Sequence, residues 1–238
     1  VLILMCLAGM AAAGVYGALA AVLKVKFGTN ETLMTLMLNY VALYFLIFLG
    51  ETQAEWNFFL DTSSARPVFF NFGKEVAFPR IMIGKFGLNV CVLLTLLIGV
   101  LVYCYLKYSK HGYEIAVIGE SENTARYAGM NVGRIIMRTM FLSGAISGLV
   151  GFIVCSGANN TLYDGVAAGV GFTAITVAWL AQLNPFAMIG ISGLLAVLEK
   201  GADTLQTRMT VPASISDIIT GIFLFCMLGC EFFINYQM

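Results

Sequence analysis

Residues 165–198 form a run of thirty-four positions without a single Asp, Glu, Lys or Arg. As one straight helix the run would measure about 51 Å, whereas a bilayer core is about 30 Å thick and takes roughly 20 helical residues. An uncharged stretch of this length belongs in lipid, yet it is too long for one crossing. Asn184-Pro185 stands near its middle, where the missing proline N–H and the restricted residue before it break a helix. The run therefore reads as two segments, 165–183 and 185–200, which are either two full spans or two re-entrant half-helices. The stretches 1–23, 32–50, 86–106 and 139–158 have the same uncharged character, and a last one covers 216–234 with Asp217 and Glu231 near its ends. Nothing alternates with the period of two that a membrane barrel strand needs. The expected fold is all-α, a polytopic membrane helix bundle of about seven transmembrane segments, organised as a single domain over 1–238.

Composition agrees with this reading. Hydrophobic side chains make up 60% of the chain and charged ones 11%, against about 45–50% and about 25% in a typical soluble chain. The surface must face lipid. Thirteen Lys plus Arg balance thirteen Asp plus Glu, so no excess positive charge speaks for nucleic acid as a partner. His111 is the single histidine, there is no Cys-x-x-Cys pair, and Gly73-Lys74 and Gly84-Lys85 run into Glu75 and Phe86 instead of Ser or Thr. Neither a metal site nor a phosphate-binding loop is written in the chain. No catalytic residue, metal or cofactor is expected on it, and any ATP would be bound by another subunit. Cys6, Cys91, Cys104, Cys155, Cys226 and Cys230 all lie in or beside apolar stretches, where Cys behaves as a small hydrophobe.

Lys and Arg mark the cytoplasmic side of a membrane protein. With 107–138 inside, strict alternation puts Lys24 and Lys26 inside as well, and 51–85, 159–164 and 200–217 outside. Seven basic residues then lie inside and six outside. The chain opens on Val with no basic region before its first apolar run, which leads to the expectation that further residues, with one or more spans, precede it. Gly9, Ala13, Gly17 and Ala21 recur every four residues on the first helix, and Ser143, Ser147 and Gly151 do so on the fourth beside Gly144 and Gly148. Small residues at that spacing let membrane helices approach closely, here within the chain in preference to a dimer face.

Four segments hold the residues that bear on function. In 119–134, Ser121 or Asn123 can cap a helix start and Gly129 can end it, leaving room for two turns. On those turns Ala125, Ala128 and Gly129 share a face, while Glu122 and Arg126 project elsewhere. Such a helix suits a groove on a second protein, or is a solvated loop helix. The loop 51–85 carries Trp56, Phe58, Phe59, Phe69 and Phe70 with Pro67 and Pro79, as a platform for an external protein or as an interfacial aromatic belt. Inside the spans, Thr32, Thr35 and Asn39 share one face, and Thr173 and Thr176 share another beside Phe172 and Trp179. These are candidate translocation-pathway residues, with interhelical hydrogen bonding as the alternative. The break at Asn184-Pro185 favours the pathway, because interrupted helices line transport cavities. Glu31, Asp164, Asp217 and Glu231 sit near span ends, which argues against ion-coupled secondary transport. No Ser/Lys, Asp/Asp or His/Glu set lies within the spans to serve an intramembrane enzyme.

The centre of 119–134, Ala125-Arg126-Tyr127-Ala128-Gly129, resembles the cytoplasmic coupling segment of permease subunits from bacterial ABC importers of the branched-chain amino acid, ribose and nucleoside type. Residues 17–40 resemble the early helices of the nucleoside-type members. Residues 171–180 followed by Asn184-Pro185, and then Val211-Pro212, resemble their C-terminal half. Ser121-Glu122 replaces the Asn-Pro that commonly opens the segment, and Ala174 stands where relatives often have Gly. The resemblance implies a multi-pass subunit of a bacterial plasma (inner) membrane, paired with a like or unlike second permease subunit. It implies ABC ATPase subunits docked on Glu120, Asn123, Ala125, Arg126, Tyr127, Ala128, Gly129 and Met130, with 125–130 as the transmission contact. It also implies an external solute-binding lipoprotein and a small neutral polar solute, a nucleoside first, with ribose or another sugar as the alternative.

Overall fold

The computed structural model describes residues 2–52, 57–61, 68–70, 80–83, 86–163, 165–166, 169–209 and seven positions between 218 and 229. The elements run α1 (Leu2–Phe27), α2 (Glu31–Glu51), β1 (Leu60–Asp61), β2 (Val68–Phe69), β3 (Arg80–Ile83), β4 (Phe86–Asn89), α3 (Val90–Tyr108), α4 (Lys110–Glu120), α5 (Glu122–Tyr127), α6 (Val132–Ile153), a π-helical turn (Val154–Asn159), α7 (Val170–Leu180) and α8 (Pro185–Met209). Among the described residues, five helices are long and apolar enough to cross a membrane: α1, α2, α3, Val132–Gly157 and Pro185–Arg208. The fold is an all-α polytopic membrane bundle. Two compact units make it up, Val1–Val166 and Ala167–Met238.

The core of the first unit is the packing of α1 on α6. A Cβ at Gly144 would stand 2.5 Å from the Ala13 carbonyl oxygen, and one at Gly148 would stand 2.6 Å from the Gly9 carbonyl oxygen. The two backbones touch through the absent side chains, which is how membrane helices gain dispersion contact where lipid gives no hydrophobic drive. Ala20, Ala21 and Ala145 are buried alongside. Gly151, in contrast, has open space where its side chain would be. Two links hold α2 beside α1. The Tyr16 hydroxyl donates to the Leu38 carbonyl at 2.7 Å, and Lys24 Nζ pairs with Glu31 at 2.5 Å across the turn.

Several boundaries differ from those read in the sequence. The third long helix starts at Val90 and not at residue 86, because Phe86–Asn89 pairs antiparallel with Arg80–Ile83, Ile83 opposite Phe86 and Arg80 opposite Asn89. Asn89 then caps the helix, its side chain accepting from the Cys91 N–H at 3.3 Å, and donates to the Gly157 carbonyl at 2.6 Å. The segment 107–138 is helical for most of its length, as α4, α5 and the first turns of α6. Among the described residues of 165–183, the helix is the 11 residues of α7, whereas the helix after Asn184 extends past residue 200 to Met209. The expected segment 216–234 lies mostly outside the described residues.

The two short hairpins between α2 and α3 are tied to helix ends. The Asn57 side chain donates to the Leu49 and Thr52 carbonyls at 2.7 and 2.8 Å, closing the end of α2. Phe58, Phe59 and Phe70 stay exposed around β1 and β2, while the Phe69 ring lies over Gly50. Trp56, Pro67 and Pro79 are outside the described residues.

Candidate functional site

Ser121 ends α4 and begins α5. Its backbone N–H donates to the Val117 carbonyl, and its hydroxyl accepts from the Thr124 N–H at 3.4 Å. The six residues of α5 end at Tyr127, and Gly129, two residues on, has a φ of 75° in the left-handed region. The Met130 N–H reaches back to the Ala125 carbonyl at 3.0 Å, the closure that a left-handed glycine permits. Asn131 then caps α6 by accepting from the Arg134 N–H at 3.2 Å. A cap at each end and a fresh helix after four intervening residues fix α5 as a short rigid peg.

The three sides of the peg differ. Ala125 is fully buried at 0% exposure, turned onto the chain itself, while Tyr127 is 94% exposed. Ala128, Gly129, Glu120 and Asn123 are exposed and Met130 is half-buried. Glu122 and Arg126, paired at 4.0 Å, line a cleft of about 370 Å³ that they share with Lys24, Thr29, Val132 and Gly133. Tyr127, Ala128 and Gly129 therefore form an exposed end of the peg, with Ala125 buried underneath.

Charge ties the segment to the long helix behind it. Arg138 of α6 donates to Glu114 of α4 at 2.9 Å, and His111 Nδ1 lies 3.6 Å from the same carboxylate. The hydrogen bond from Arg138 holds the Glu114 carboxyl below its ordinary range, against the partial desolvation that acts to raise it, with His111 adding to the lowering.

The candidate pathway residues fall into two groups, one in each unit. On α2, the Thr35 hydroxyl is spent on the Glu31 and Thr32 carbonyls at 2.9 and 3.1 Å, whereas Thr32 and Asn39 are exposed along the helix. On α7, the Thr176 hydroxyl donates to the Phe172 carbonyl at 3.2 Å, and Phe172 and Trp179 turn outward at 54% and 72% exposure. Only Thr173 of that set lines the α7–α8 cleft, about 380 Å³ in volume, where Ser192 and Glu199 join it among Val177, Met188 and Leu195. Ser192 and Glu199, seven residues apart on α8, are not among the candidates read from the sequence: Ser192 is a lone hydroxyl in the uncharged stretch 185–198, and Glu199 stands just beyond its end. Their i, i+7 spacing is the signal that marks them as one face.

Residues 1–228 match the family described as branched-chain amino acid transport system permease components, and the chain belongs to that family. It is 28% identical to the guanosine ABC transporter permease protein NupP of Bacillus subtilis over 89% of this chain and 60% of that protein. To the nucleoside ABC transporter permease protein NupB of Lactococcus lactis it is 24% identical, over 97% of this chain and 64% of the relative. The glucose ABC transporter permease protein TsgB13 of Haloferax volcanii is 28% identical over 98% of this chain and 63% of its own length. The chain thus spans less than two thirds of the length of these relatives. No solved structure matches it.

Proposed function

We propose that this chain is the membrane-spanning permease subunit of an ATP-driven ABC importer in a bacterial plasma membrane, carrying a small neutral polar solute of the nucleoside class. The observation that carries the reading is α5: a doubly capped peg, anchored by Ala125 and presenting Tyr127, Ala128 and Gly129 outward, within a chain of the permease family. ATP would be bound and hydrolysed by ATPase subunits docked on that face, the pathway would be completed by a second permease subunit, and an external lipoprotein would deliver the solute to the side of the aromatic hairpins. Movement of α5 would reach the membrane through α4 and α6, joined by Glu114 and Arg138, and through α6 to α1 along the glycine contact. Closure of the ATPases thereby biases a two-state pathway between outward-open and inward-open. Nucleosides come first because two relatives are named for guanosine and nucleosides; a sugar is the second reading, favoured by the glucose permease.

Replacing exposed Ala128 by Trp should abolish uptake while ATP hydrolysis by the assembled transporter and the amount of inserted protein stay unchanged. Undiminished uptake in Ala128→Trp would remove the docking role of this face. For the solute, labelled guanosine import that is unaffected by deletion of the gene would rule out the nucleoside assignment.

A further inference from the structure

We infer that α7 and α8 form a re-entrant hairpin whose tip, residues 181–184, stops inside the bilayer and presents the Gln182 amide to the translocated solute; the solute clause rests on the importer reading above. Length comes first. The 11 residues of α7 reach about 16 Å, and the uncharged part of α8, residues 185–198, reaches about 21 Å, both short of a core about 30 Å thick. As a full crossing, α8 attains the required length only by carrying Glu199 and Lys200 into the hydrocarbon, where ionised groups are costly. The return is tight, and both arms line one cleft along their length, from Val170 to Ala178 and from Met188 to Glu199.

The tip is built for a solvent without hydrogen bonds. The Ala181, Gln182, Leu183 and Asn184 N–H groups donate to the Val177, Trp179, Ala178 and Ala181 carbonyls at 2.9, 2.9, 3.0 and 2.9 Å. Pro185 has no N–H, and the Phe186 N–H donates to the Asn184 side chain at 3.1 Å. Every backbone donor from 181 to 186 is thus satisfied within the turn. This closure requires left-handed backbone at two residues that are not glycine, Gln182 at φ 49° and Leu183 at φ 57°, a conformation side chains resist. Water would supply those partners freely, whereas hydrocarbon supplies none. The side chains agree: Trp179, Leu183 and Phe186 are 72%, 75% and 69% exposed around the tip, an unfavourable cluster in cytosol and an ordinary one in lipid. Gln182 is the exception. Its side chain is exposed and its amide has no partner among the described residues, so at that depth it requires a polar counterpart, which a transport pathway provides.

The test uses the full-length protein in its assembled transporter, with native cysteines replaced and one cysteine introduced at Phe186 or Trp179, and Lys110→Cys, exposed at the start of α4 and outside the docking face, as the cytosolic reference. In inverted vesicles a membrane-impermeant maleimide should label Phe186→Cys and Trp179→Cys at least about tenfold more slowly than Lys110→Cys. Labelling as fast as the reference would place the tip in the cytosol and overturn the hairpin. Separately, Gln182→Ala should raise the uptake KM about tenfold, the worth of one lost hydrogen bond, with Gln182→Asn restoring part of it at equal expression. An unchanged KM in Gln182→Ala would overturn the contact while leaving the topology standing. Wild-type protein without ATP-driven uptake would overturn the importer reading, and the labelling result would be independent of it.

Discussion

Gly144 and Gly148 bring two helix backbones to within the reach of one missing methyl group. Gly144→Leu should therefore force α1 and α6 apart, at about 2–3 kcal/mol in an overpacked contact, and lower the yield of monodisperse protein in detergent. Gly151→Leu is the control: its side chain would enter open space, and yield and thermal stability should match wild type. The four-residue repeat of small residues marks α1 and α6 each as closely packed helices in the sequence without naming their partner, and Gly151 stands in that repeat as well. Spacing alone cannot tell which member of a small-residue set meets a neighbour. Glu114 and Arg138 offer a prediction in pH. The folded carboxyl titrates below its ordinary range, so the stabilisation from the pair is present above the unfolded pKa and disappears as pH falls through the lowered folded one. Arg138→Met should thus reduce the unfolding temperature at neutral pH and converge on wild type in strong acid, as followed by thermal unfolding across a pH series.

A six-residue helix holds its shape through its ends. Ser121→Ala removes the hydroxyl that caps α5, a loss of about 1 kcal/mol. It should raise backbone amide exchange across 122–128 and weaken uptake, with little change in global stability. Ser121 and Gly129 mark those ends in the sequence, because capping chemistry is local. The side of the helix that faces its own protein is not local: Ala125, Ala128 and Gly129 share a face by period, yet Ala125 is buried and Ala128 is exposed. Elsewhere the uncharged runs identify where long helices lie and misplace where they stop. Phe86–Asn89 is apolar enough to join the following helix, and only its pairing with Arg80–Ile83 makes it a strand. Glu199 and Lys200 end an uncharged run without ending the helix, since charges on a helix leaving the membrane do not break it.

Among the described residues, charge lies at helix ends, in the short hairpins, in the 107–138 segment and inside α8 from Glu199 and Lys200 onward, so on the proposed reading the energy for transport arrives from outside. The groove of the second unit holds hydroxyls, with Glu199 at one end of it, and the α2 face offers Thr32 and Asn39. Hydroxyls and amides of this kind match a neutral solute rich in hydrogen-bonding groups, such as a nucleoside or a sugar. Reconstitution of the full-length permease in proteoliposomes, with its ATPase and its binding protein, puts this account to a single measurement: uptake of labelled guanosine. Accumulation should require ATP on the ATPase side, persist when proton and sodium gradients are collapsed, and vanish in Ala128→Trp. Accumulation without ATP that is abolished by collapsing an ion gradient would contradict it.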